Sequence, residues 1–188
     1  MLISKTLHTK AEFYTFIDLP QNVDKTFELI GGEIIEKMPT FGYSSGVSAR
    51  LTTFIGMYLL KNDIAHMTDA QGGYDIDDEN TLVPNIGVIR ESRQPELPTD
   101  SYIPLVPDFV IEVVSQSDLK DPKNRIEKKL KKYRELGVRL IWYVYPGRKE
   151  VEGYKLGQMK LALGISDTLD GGDVLPDFML PVRDIFPQ

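Results

Sequence analysis

The chain has 188 residues, 28 acidic against 22 basic, a formal net charge of −6, 41% hydrophobic content and no cysteine. That is apolar enough for one ordinary domain over residues 1–188, and it excludes a disordered chain, a disulfide framework, a zinc–thiolate site and a thiol nucleophile. His8 and His66 stand too far apart for a histidine-rich metal site, and no signal segment or apolar run of ~18 residues is present, which predicts a cytoplasmic protein without a membrane span.

Thr9-Lys10-Ala11-Glu12 has capping-box spacing and opens a short helix through about Phe16. Phe27 to Ile30 and Glu33 to Glu36 flank Gly31-Gly32, a hairpin signal that sets Ile30 opposite Glu33 and Glu28 opposite Ile35. Glu28 and Glu33 then share one side of the sheet. Ser44 or Ser45 can cap a helix that carries Val47, Leu51, Phe54, Ile55, Tyr58 and Leu59 and ends near Asn62-Asp63. Strands are expected around His66 to Gln71 and over Leu82 to Ile89, the latter with Pro84 inside it. Asp77 to Asn80 reads as a solvated turn, and Glu91 to Pro104 as a Pro-rich loop. Asp108 to Val114 is nearly all apolar, so a central strand covered on both faces is predicted. A long helix follows, capped by Asp118 or Asp121, with Pro122 in its first turn and Gly137 at its end. Leu140 to Tyr145 is a second buried strand. Val151 to Leu156 and Lys160 to Leu163 form a meander before a Pro- and Asp-rich tail. The order predicts an α/β fold, a mixed β-sheet flanked by helices.

Glu112 is the outlier in that central strand. A carboxylate among valines is costly unless paired, and Val110 and Val114 flank it on its own face. On the following helix Ile126, Leu130, Tyr133 and Leu136 define the buried stripe. At ~100° per residue Lys129 falls within that stripe, and Lys128, Lys131 and Lys132 fall outside it. A core-facing lysine needs an anion, and Glu112 is the obvious one. Pro84-Asn85 adds a neutral oxygen, and Gly87, on the same face, would leave room for a ligand. Glu33 is a fourth candidate, with Glu28 as its competitor. A hard cation such as magnesium prefers a few oxygens plus water. Bound among Glu112, Asn85 and Glu33, it would serve phosphodiester hydrolysis, with Lys129 holding phosphate or water.

These segments, in this order, resemble the Uma-type restriction endonucleases of the PD-(D/E)XK nuclease superfamily. The matching stretches are Phe27 to Ile35, Val83-Pro84-Asn85-Ile86-Gly87-Val88, Pro107 to Ser115, Lys129 to Tyr133 with Gly137-Val138, Leu140 to Val144 with Pro146, and Val174 to Phe178. The resemblance implies a restriction-endonuclease-like core and a magnesium-dependent DNA endonuclease, with manganese as a substitute. It makes Glu112 the metal-binding acid and Glu33 the hairpin glutamate. Val114 stands where the half-motif has lysine, so Lys129 supplies it from the helix. Asn85 replaces the usual aspartate after the proline, which weakens metal binding. Ser44 stands where many relatives have histidine.

The acidic balance argues against a nucleic-acid binder, but positive charge concentrates between Lys120 and Arg139. Lys120, Lys123, Arg125 and Lys132 are the expected phosphate contacts. Two cuts on duplex DNA are compatible with a homodimer. The competing readings are a structural ion pair for Glu112, a snorkelling Lys129, core roles for Tyr133 and Trp142, and a catalytically silent relative that binds nucleic acid or a protein. A hydrolase of another phosphodiester is a third reading of the site.

Overall fold

A computed structural model describes residues 6–121 and 123–187, without the side chain of Asn124. The expected place of Pro122 therefore lies outside the described residues.

The hairpin forms as its glycines dictate. Gly31 and Gly32 both take positive φ, 57° and 75°, the two-residue turn that joins β1 (Thr26–Ile30) to β2 (Glu33–Lys37). The register is the expected one, Glu28 opposite Ile35 and Ile30 opposite Glu33. Ahead of it, α1 (Lys10–Ile17) starts on the predicted Thr9–Glu12 capping box.

Next, α2 (Gly42–Asn62) buries Val47, Leu51, Ile55 and Leu59 on one stripe. Its N-cap is Phe41, with no side-chain cap, so Ser44 and Ser45 lie inside the first turn instead of before it. Strands β3 (Ala65–Thr68), β4 (Tyr74–Asp77), β5 (Asn80–Leu82) and β6 (Ile86–Arg90) follow. The single strand expected over Leu82 to Ile89 is thus two strands in different sheets. Pro84 explains the break, since it has no N–H for a ladder and restricts Val83 before it.

Strand β7 (Phe109–Val113) is buried throughout. The chain then passes through a 3-10 turn (Asp118–Lys120), a π-helical turn (Lys123–Glu127) and α3 (Lys128–Glu135) to β8 (Leu140–Tyr145). The long regular helix is therefore a short α-helix behind an irregular lead-in; Gly137, at φ 80°, ends it as expected. Strands β9 (Glu150–Lys155) and β10 (Leu161–Leu163) complete the meander. The tail is more ordered than its composition implied. It folds as a hairpin, β11 (Thr168–Asp170) with β12 (Met179–Pro181), and a short α4 (Val182–Ile185).

Six strands form one sheet in the order β10-β9-β8-β7-β6-β3, with β7 and β8 parallel and the other pairs antiparallel. A second sheet has the order β2-β1-β5-β4. The two faces of β7 serve different cores. Phe109, Ile111 and Val113 pack with α2, Trp142 and the tail residues Val174, Leu175 and Phe178. Val110 and Val114 face the other way, with Ile126 and Tyr133 of the crossover, Ile30 of the hairpin and Leu82. The face that carries Glu112 is therefore roofed by α3 and the second sheet. Among the described residues no helix is long and apolar enough to cross a membrane.

Candidate active site

Glu112 meets its partner where the strand–helix geometry aims it. Lys129 Nζ lies 2.6 Å from Glu112 Oε1 and 2.8 Å from Glu28 Oε1. Tyr133, one turn on along α3, donates its hydroxyl to the same Glu112 oxygen at 2.7 Å. Lys129, Glu28 and Glu112 are 5%, 3% and 8% exposed. At such depth a lone charge would cost several kcal/mol, so the cluster stands only because opposite charges meet inside it. Burial opposes the charge on Lys129, but Glu112 and then Glu28 outweigh it and hold the amine above its ordinary range. Burial and the two carboxylates push the Tyr133 hydroxyl far up, so it stays a donor.

The strand break completes the wall. Glu28 Oε1 accepts the Val83 N–H at 2.7 Å, and Lys37 Nζ donates to the Val83 carbonyl. Both backbone groups that Pro84 leaves without a ladder are thus bonded to side chains of the hairpin. Asn85 Oδ1 accepts the Val113 N–H at 2.9 Å, next to Glu112. Ser115 N and Oγ both donate to Asp118 Oδ2, at 2.8 and 2.6 Å, which fixes the turn after β7. Glu28, Lys37, Asn85, Glu112, Asp118, Arg125 and Lys129 all line one open cavity of about 440 Å³.

Of the four expected site residues, Glu112, Asn85 and Lys129 come together and Glu33 does not. Glu33 pairs with Lys128 at 2.8 Å and lies outside the cavity wall. Glu28 takes its place, on the same face of the hairpin but farther from the turn. Gly87 leaves room for a protein side chain, not for a ligand: a Cβ there would collide with the ring of Tyr74. Of the expected phosphate contacts, Arg125 lines the cavity, and Lys120 and Lys123 are exposed on the same lead-in to α3. Lys132 sits elsewhere, over the hairpin turn against Gly31 and 3.4 Å from Glu135. Tyr133 is buried as expected, yet it also bonds Glu112. Lys37 was missed, although the alternation of β2 puts it on the face of Glu28.

Among the described residues no group of three or more His, Cys, Asp and Glu side chains could hold a metal ion. The cavity offers two carboxylates, Glu28 and Glu112, each with one oxygen committed to Lys129, and the neutral amide of Asn85. Magnesium is commonly held by one or two carboxylates, with water and substrate phosphate completing its shell. The donor set fits a weakly held magnesium and not a dedicated protein cage.

A profile of the family described as "Uma2: Putative restriction endonuclease" matches residues 13–183. The chain belongs to the Uma2 family. The match spans every residue of the cavity wall, from Asp24 to Tyr143, so the Glu28–Lys129–Glu112 cluster is part of the Uma2 region and not an appendage to it. Among solved structures, one titled "Crystal structure of a putative nuclease belonging to DUF820 from Anabaena variabilis ATCC 29413" superposes with a TM-score of 0.72. It shares 24% identity, over 91% of this chain and 94% of that one, which shows a common fold. No curated protein matches the sequence.

Proposed function

We propose that this Uma2 protein is a metal-dependent endonuclease that hydrolyses phosphodiester bonds in DNA, with Glu112 and Glu28 as the metal-holding acids. One observation carries the reading: carboxylates from two different sheets converge on a single lysine ammonium in the wall of an open cavity. Magnesium, or manganese in its place, would polarise a phosphoryl oxygen and lower the pKa of a bound water. The chain's own groups prepare that chemistry. Lys129 holds two mutually repelling carboxylates close together. Tyr133 fixes the rotamer of Glu112, and Asn85 pins the backbone of β7 beside it. Arg125, with Lys120 and Lys123 beside it, would hold the DNA backbone across the cavity mouth.

Nicking of supercoiled plasmid by the purified protein tests the reading. Cleavage is expected with magnesium, none is expected with a chelator, and none from Glu112→Ala purified in parallel. Cleavage by the Glu112→Ala variant equal to that of the parent would exclude the assignment.

Asn85 favours a second reading, a silent relative that keeps the fold and binds nucleic acid without cutting it. A neutral amide stands where a third anionic oxygen would strengthen the site, and its oxygen is already engaged by Val113. Cleavage gained by Asn85→Asp from a parent with none would favour this reading.

A further inference from the structure

Three lysines line the cavity, and Lys25 and Lys129 each have an acid partner there. Lys129 lies between Glu28 and Glu112 and is fully committed to them. Lys37 has the opposite situation. It ends β2 opposite Thr26, on the face of Glu28, and it looks into the same cavity. Its Nζ bonds the Val83 carbonyl, and no carboxylate among the described residues lies within ion-pair distance of it. An ammonium has three donors, and a neutral carbonyl satisfies one of them without compensating the charge. Burial, and then the Lys129 ammonium, push its pKa down, while Glu28, Glu112 and Asp118 act against that shift from farther off. A half-buried cation with a neutral partner and open space in front of it is a site that an anion would complete.

Arg125 stands on the same wall. Its Nη1 reaches the carbonyl of Glu36, the residue before Lys37, at 3.4 Å. Lys37 and Arg125 thus approach the cavity together at the end of β2, while Lys129 is held by the Glu28–Glu112 pair.

We propose that Lys37 is the phosphate-binding residue of the cavity and takes a non-bridging oxygen of a phosphodiester, while Lys129 organises the carboxylates. The choice of a phosphodiester rests on the nuclease reading above; the anion site itself does not. Lys37 would touch substrate directly. Removing a charge-assisted hydrogen bond of this kind weakens binding about ten- to a hundredfold.

Calorimetric titration of the whole protein with thymidine 3′,5′-bisphosphate, in chelator and then in magnesium, tests this. The parent is expected to bind under both conditions. Lys37→Gln should lose about ten- to a hundredfold in affinity. Lys37→Arg, which keeps the charge, should stay close to the parent, and Lys132→Gln, at the turn end of the hairpin, should match it. Urea unfolding of each variant separates binding from the Val83 tether. The proposal is overturned if the parent does not bind the bisphosphate, or if Lys37→Gln binds as the parent does. It is also overturned if both Lys37 variants lose affinity only in proportion to lost stability. Bisphosphate binding that depends on Lys37, without plasmid nicking, would uphold this site and sink the nuclease reading. Nicking with unchanged kcat and KM in Lys37→Gln would do the reverse.

Discussion

Tyr133 and Glu112 share one hydrogen bond of 2.7 Å, made to the carboxylate oxygen that also faces Lys129. Because Tyr133 and Lys129 lie one turn apart on α3, a single helix face holds this oxygen from two sides. Tyr133→Phe keeps the ring packing and removes the donor. It is expected to lower stability by about 1–2 kcal/mol, read as a shift in urea midpoint, because the buried oxygen loses one partner.

Lys129→Met should be far more damaging. It leaves two carboxylates buried against each other, a change that costs roughly 3–5 kcal/mol. Adding Glu28→Gln to Lys129→Met removes one of the repelling charges and should recover part of the loss. A double-mutant cycle in urea would measure that coupling, and strict additivity would show that the three groups do not act together.

The hairpin carries two glutamates on one face, and the structure separates them. Glu28→Gln should abolish magnesium-dependent nicking. Glu33→Gln weakens the pair with Lys128, partly exposed on both sides, and should leave nicking unchanged and stability within about 1 kcal/mol. Equal loss from both substitutions would argue against the cavity as the reaction site.

Asn85→Asp should tighten magnesium binding about tenfold in a calorimetric titration, since more anionic oxygen strengthens a hard-cation site. Without metal the same variant should be less stable than the parent, because a third carboxylate joins Glu28 and Glu112. Saturating magnesium should restore it.

The pH dependence has a definite sign at the alkaline end. Lys129, Tyr133 and Tyr143 all titrate higher in the folded protein, where burial of the tyrosines and the carboxylates at 112 and 28 favour the protonated forms. Their contribution is therefore complete below the unfolded values of about 10 and is lost as pH rises through the folded ones. Circular dichroism should stay flat to about pH 10 and then fall, with tyrosinate absorbance of the buried pair appearing only as the chain unfolds.

Much of this was legible in the residues. The register at Gly31-Gly32 followed from turn chemistry, and the inward aim of Lys129 followed from helical angle against Ile126 and Tyr133. Glu112 announced itself as the only charge in the apolar run from Phe109 to Val114. The choice between Glu28 and Glu33 was not legible, because both obey the same alternation and differ only in distance from the turn. Which of them meets the cavity depends on how the second sheet sits over α3, a long-range relation. Lys37 carried a weak signal, its place on the Glu28 face, hidden by its position at a strand end where lysine is ordinarily solvated. The π-helical lead-in before α3 left no pattern at all, since its side chains suit a regular helix equally well.

The peptide at Val83 has a consequence for how this cavity could evolve. Its N–H is held by Glu28 and its carbonyl by Lys37, so two residues that line the cavity also stitch the seam between the two sheets. A substitution that retunes the chemistry at either position loosens that stitching as well. Adaptation is therefore freer at Asn85, which bonds within its own sheet, and the departure from the expected aspartate occurs at that position.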